Sequence, residues 1–175
     1  MGPAARLAPA AVLALAAGLA LAACTAPAPS ATPSTAVAGP VLQPIDVTPA
    51  ERAEAGIAAA FHSAQAEDLV AEVPADIDFG RHALVCVYLG QRPTTGWGLD
   101  LQSASVLDGE LRIRARETRP PASGGRPRIS YPAGCGLLER AALPEGELAV
   151  RADDTISEEF IVDGTLSVPP ASDAP

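Results

Sequence analysis

The sequence contains no lysine, only two histidines, one tryptophan and three cysteines, and after residue 23 it has no run of about 18 apolar residues. Each shortage excludes something. With every cation an arginine, a row of positive residues says little about a basic function. Two histidines, His62 and His82, no Gly-x-Ser-x-Gly turn and no nucleophile placed near a base argue against hydrolysis. His82 and Cys86 are four positions apart in an extended segment, which holds them roughly 13 Å from each other. No cluster of His, Cys or carboxylates has metal-ligand spacing, and no glycine-rich phosphate loop follows a strand. The sequence therefore predicts no metal, no cofactor, no small-molecule substrate and no catalysis. Acidic residues outnumber arginines 21 to 12, for a formal net charge of −9, which argues against a nucleic-acid partner.

What is present begins with an N-terminal address. Residues 1–23 read as a signal peptide, with Arg6, an apolar run and small residues before Cys24. Leu21-Ala22-Ala23-Cys24 looks like a bacterial lipobox, in which the cysteine takes a diacylglycerol and becomes the new N-terminus. Residues 24–44 are Ala, Pro, Ser and Thr with almost no charge, and are expected to form a disordered tether. Residues 45–168 are expected to be one folded domain and residues 169–175 a disordered tail. The expected location is exported and held by lipid to the cell envelope, on the outer leaflet of the plasma membrane or facing the periplasm. Two further cysteines, Cys86 and Cys135, are in a compartment where a pair usually joins, and closing that loop would stabilise the fold by about 4 kcal/mol. Two buried free thiols are the alternative.

The organising stretch is Leu84-Val85-Cys86-Val87-Tyr88-Leu89, bounded by Gly80 and Gly90. Six apolar residues rich in β-branched and aromatic types fit a strand buried on both faces. It empties into Arg92-Pro93-Thr94-Thr95-Gly96-Trp97, where Pro93 fixes φ and Gly96 permits positive φ just before the only tryptophan. Upstream, Thr48 as N-cap, Pro49 at the first helical position and Glu51 closing a capping box predict a helix to about residue 69, with Ile57, Phe61, Ala64 and Leu69 as its apolar stripe. His62 beside that stripe reads as a surface or boundary residue. Downstream the period is two. Asp108-Gly109 signals a hairpin whose return arm turns Leu111, Ile113 and Ala115 inward and Arg112, Arg114 and Arg116 outward. Asp163-Gly164 signals a second hairpin. The predicted fold class is α+β, mostly antiparallel β: a small β-sheet or sandwich domain with one N-terminal amphipathic helix. Six arginines between residues 112 and 128 form either a partner surface or, more in keeping with how such rows behave, a solvated outer face.

At the loop, the chain resembles the C-terminal domain of the PrcB protease-complex lipoproteins. The matching positions are Asp78-Phe79, the strand Leu84 to Leu89, the turn Gly90-Gln91-Arg92-Pro93-Thr94-Thr95-Gly96-Trp97, Leu111 to Ala115, Pro120-Pro121 and Ser130-Tyr131-Pro132, so the likeness covers about residues 78–138. It implies a non-catalytic exported lipoprotein that associates with and stabilises a secreted protease. Thr95 stands where many members have glycine. Pro93-Thr94-Thr95-Gly96-Trp97 also resembles the first inhibitory loop of the chagasin-type cysteine-protease inhibitors, and Gly124-Gly125 their second. That likeness implies an inhibitor on an immunoglobulin-like sandwich. A third reading is a structural envelope lipoprotein whose loop closes its own core. In the first two, Arg92, Pro93, Thr94, Thr95, Gly96 and Trp97 form the protein-binding loop.

Overall fold

The computed structural model of the chain describes residues 40–122 and 124–170. In chain order the elements are β1 (Leu42–Pro44), β2 (Ala55–Ala60), a single helical turn α1 (Ser63–Ala66), β3 (His82–Leu89), β4 (Arg92–Thr94), β5 (Gly98–Leu107), β6 (Glu110–Thr118), β7 (Pro127–Ser130), β8 (Ala133–Glu139), β9 (Gly146–Asp154) and β10 (Phe160–Val168). Two four-stranded sheets, ordered β1-β8-β3-β2 and β10-β9-β6-β5, pack as a sandwich, and β4 and β7 form a separate two-stranded ribbon. Every pairing is antiparallel except that of β6 with β9.

The apolar run of the sequence becomes β3, and it is buried on both faces. Ala83, Val85, Val87 and Leu89 point between the sheets, where they meet Leu101, Leu111, Ile113, Ala115, Leu148, Val150 and Leu166. Leu84, Cys86 and Tyr88 point the other way, into a second core with Ala60, Ala66, Leu69, Val70 and Phe79. The first sheet thus has a hydrophobic layer on each side because the segments flanking β2, residues 45–54 and 61–81, fold back over it. Cys86 lies directly opposite Cys135 on β8, with Cα atoms 4.1 Å apart, and the two form a disulfide.

That covering segment overturns the expected helix. Residues 48–69 hold β2 and the one turn α1 instead. Alanine-rich sequence has high helix propensity, but the open edge of β3 offers a full ladder of hydrogen bonds, and β2 takes it by pairing Ala55 with Leu89 through Ala60 with Leu84. Thr48 caps nothing: its carbonyl accepts from the Ala71 N–H, while Ala50 N–H donates to Leu69, so residues 48–50 and 69–71 bridge each other. The N-cap of α1 is His62, exposed, whose Nδ1 accepts from Gln65 N–H at 3.3 Å. The sandwich also begins before the expected boundary, since Leu42 to Pro44 pair with β8. Cys24, the signal peptide and most of the tether lie outside the described residues.

Asp108-Gly109 is a two-residue turn with φ of 53° and 78°, as a hairpin of this type requires. Asp163-Gly164 is not a turn. Both residues sit inside β10, paired with Arg151 and Val150. The chain turns instead at residues 155–159, around the buried carboxylate of Asp154. That carboxylate accepts from the N–H groups of Glu117, Ile156 and Ser157 and from the Ser157 hydroxyl, at 2.7–3.2 Å, and these bonds hold its pKa well below the usual carboxylate range.

The outer face of the second sheet is wet. Arg112 stands opposite Arg151, Arg114 opposite Asp153 and Arg116 opposite Asp100, while Arg112 pairs with Glu110 and Arg151 with Asp153. Glu110, Asp153 and Asp100 stand among these arginines, so the row is a solvated face and not a basic patch.

Candidate functional site

Strand polarity decides where the elbow stands. β3 ends at Leu89 beside the start of β8, and β5 begins at Gly98 beside the end of β6. Gly134 of β8 meets the start of β5 so closely that a Cβ there would lie 2.6 Å from the Leu99 carbonyl oxygen. Residues 90–97, 119–132 and 155–159 therefore share one end of the sandwich. The chain enters at Leu42, opposite Leu138, and leaves after Val168, opposite Gly146, both at the other end.

The elbow itself is partly a strand. Arg92 and Thr94 belong to β4 and pair with Ser130 and Pro127 of β7, with a bulge between them, and Thr95 N–H donates to the Arg126 carbonyl at 3.1 Å. The Ser130 hydroxyl donates to the Thr94 carbonyl at 2.7 Å. Trp97 is half-buried. Its indole N–H donates to Thr94 Oγ1 at 3.2 Å, and the Arg92 guanidinium carbon lies 5.2 Å from the ring centroid. Tryptophan is thus neither a bare anchor nor a core residue: it pins the corner from beneath, satisfying its own donor and stacking with a cation. Arg92 Nε is shut from solvent with no hydrogen-bond partner among the described residues.

Gly96 has φ +96°, a conformation that side chains resist, and a Cβ there would touch Pro120 at 3.2 Å. Gly125 is tighter still, because a Cβ on it would fall 1.9 Å from the Thr95 carbonyl oxygen. The proline-rich loop therefore lies directly on the elbow, and only glycine lets it. Pro93 and Gly96 are left exposed at the tip.

Sequence reasoning placed all six elbow residues at one corner, and the structure brings them together. It missed β7 as the elbow's partner strand and Ser130 as a brace. It also missed the turn after Asp154, where Arg119 bridges Glu117 and Glu159 at 2.9 and 3.3 Å. Among the described residues, the large exposed apolar side chains are Val41, Leu107, Ile129, Ile156 and Phe160, and the last three lie at the elbow end. A cue was available: residues 90–98 and 119–133 contain four arginines and no carboxylate in a strongly acidic chain.

The same end carries a shallow recess of about 480 Å³ lined by Arg52, Glu54, Gly56, Ile57 and Tyr88. Tyr88 is engaged there, donating its hydroxyl to the Leu69 carbonyl at 3.0 Å with Arg52 over its ring, and burial pushes its pKa up. Among the described residues no group of three or more His, Cys, Asp or Glu is placed to hold a metal ion. No family model, no curated protein and no solved structure matches this chain.

Proposed function

We propose that this chain is an exported, lipid-anchored protein-binding module that docks on a protein partner through its elbow and makes no bonds itself. The observation that supports this reading is a rigid corner held out at the end opposite chain entry. Arg92, Thr94 and Trp97 are locked to one another, Ser130 and Gly125 brace them from the next loop, and Pro93 and Gly96 face outward. A surface that is already ordered loses little entropy on docking. The Cys86–Cys135 bond is of the kind that persists in oxidising, extracytoplasmic compartments. By the resemblance to the PrcB lipoproteins, the partner is a secreted protease, and the module stabilises it.

The test is co-purification of the lipidated chain from its own envelope, comparing the natural sequence with Gly96→Val and Gly125→Ala. The expected result is a protein partner retained by the former and lost from both variants while the sandwich keeps its thermal midpoint. Equal recovery in all three defeats the proposal.

One observation favours a second reading, a chagasin-like cysteine-protease inhibitor. Gly125 packs on Thr95, so the elbow and the Gly-Gly loop form a continuous edge. Inhibition of papain-class enzymes that disappears on changing Thr94, Thr95 and Gly96 would select it over the first.

A further inference from the structure

The elbow and its bracing loop differ in charge from the rest of the molecule. Across the elbow and its bracing loop, Arg92, Arg119, Arg126 and Arg128 face no carboxylate of those two segments, although the chain as a whole carries a net charge of −9. Two of the four are already engaged: Arg92 lies over Trp97, and Arg119 is held by Glu117 and Glu159. Arg126 and Arg128 are exposed and form no ion pair among the described residues. Between them and Ser130, the ribbon turns Arg92, Thr94 and Ser130 inward and leaves Pro93 and Ile129 outside, Ile129 being 52% exposed. The ribbon is only two strands wide, so each of its strands has an unpaired outer edge. Two exposed guanidinium groups beside an exposed aliphatic side chain on an open strand edge define a recognisable ligand.

We infer that the β4–β7 ribbon binds an extended, acid-rich segment of a partner protein, whose carboxylates reach Arg126 and Arg128 while one of its apolar side chains covers Pro93 and Ile129. This rests on the reading of the elbow end as a docking face, and it names what that face recognises. Guanidinium forks bind carboxylates with two parallel hydrogen bonds, and an added strand supplies main-chain bonds without demanding sequence. A protein is favoured over an anionic membrane because the ribbon sets an open strand edge and an exposed aliphatic side chain beside the guanidinium groups, features that a peptide main chain and an apolar side chain complement. The outer face of the second sheet carries acids beside its arginines, whereas residues 90–98 and 119–133 contain none, which is why that face carries no such inference.

Residues Val37–Pro175 form a compact unit of their own and serve as the test protein. Random octapeptides displayed on phage are selected on it, and binding of the recovered peptides is read through Trp97, the only tryptophan and a direct neighbour of the ribbon. The expected result is enrichment of Asp and Glu beside an aliphatic or aromatic residue. The recovered peptides bind roughly tenfold more weakly both at raised ionic strength and in the exposed double variant Arg126→Glu/Arg128→Glu, whose thermal midpoint is unchanged. Three outcomes overturn the inference: no acidic enrichment, equal binding by the double variant, or binding to vesicles of phosphatidylglycerol with no peptide recovered. Concentration-dependent self-association that the double variant abolishes would also overturn it, by assigning the site to the acidic covering segment of a second copy. If partner recovery from the envelope needs Gly96 and Gly125 but is indifferent to Arg126 and Arg128, the docking proposal stands and this inference alone fails.

Discussion

The two sheets of the sandwich have four strands each but live in different surroundings. The first is covered on both sides, so β3 is apolar at every position from Ala83 to Leu89. The second is covered on one side, so β6 alternates, with Leu111, Ile113 and Ala115 fully buried and Arg112 and Arg116 in water. What makes the difference is residues 45–54 and 61–81, a layer with little regular structure of its own that supplies a second core. An irregular cover can be as effective as a third layer of helix or sheet, provided it buries its apolar residues and bridges its own backbone.

The comparison can be broken most directly at its covalent link. Replacing both Cys86 and Cys135 with alanine is expected to remove about 4 kcal/mol of stability, seen as a lower denaturant midpoint, because the bond closes a loop with a sequence separation of 49. A sharper test compares Leu84, which faces the cover, with Leu111, which faces the other sheet. Both are fully buried, and each Leu→Ala change is expected to cost about 3 kcal/mol. A loss at Leu84 under about 1 kcal/mol would show the cover to be loose and the two cores unequal. Next comes Asp154, which ties the end of β6 to the turn between β9 and β10. Its folded-state pKa is depressed below the ordinary 3.8, so its contribution is fully present above that value and is lost as pH falls toward the folded-state value. Asp154→Asn should lower the thermal midpoint by several degrees at neutral pH and flatten the decline in stability below pH 4. The smallest effect is expected on the wet face: Arg114→Gln or Arg116→Gln should stay within about 0.5 kcal/mol of the natural sequence.

The same contrast explains what could be read from the sequence. Strand β3, the Asp108-Gly109 hairpin and the inward and outward residues of β6 rest on local patterns, and they were legible. The disulfide was legible as one of two possibilities, since spacing proposes a pair but only register places Cys86 opposite Cys135. Residues 48–69 were misread because alanine and a capping-box pattern favour a helix locally, while the open side of β3 favours a strand non-locally. Asp163-Gly164 misled for a related reason: the true turn is organised by a side chain, Asp154, that reaches both backward to Glu117 and forward to Ser157. The parallel pairing of β6 with β9 leaves no local trace at all. At the elbow, the six residues were visible as a motif, but the strand that braces them lies over thirty positions away, and its only signal was an arginine-rich stretch without acids.

The direction in which β1 runs has a mechanical consequence. It travels from the entry end toward the elbow and lies antiparallel to β8, with Leu42, Gln43 and Pro44 opposite Leu138, Leu137 and Gly136. On the proposed reading, tension arriving through the residues before Leu42 and resisted by a partner at the elbow would act along the strand axis. The bonds joining β1 to β8 then bear it in shear, all together, and do not open one by one from a frayed tip. Past β8 the pull crosses to β3 through a covalent bond. The β1 joint is a three-residue strand, the shortest of the first sheet.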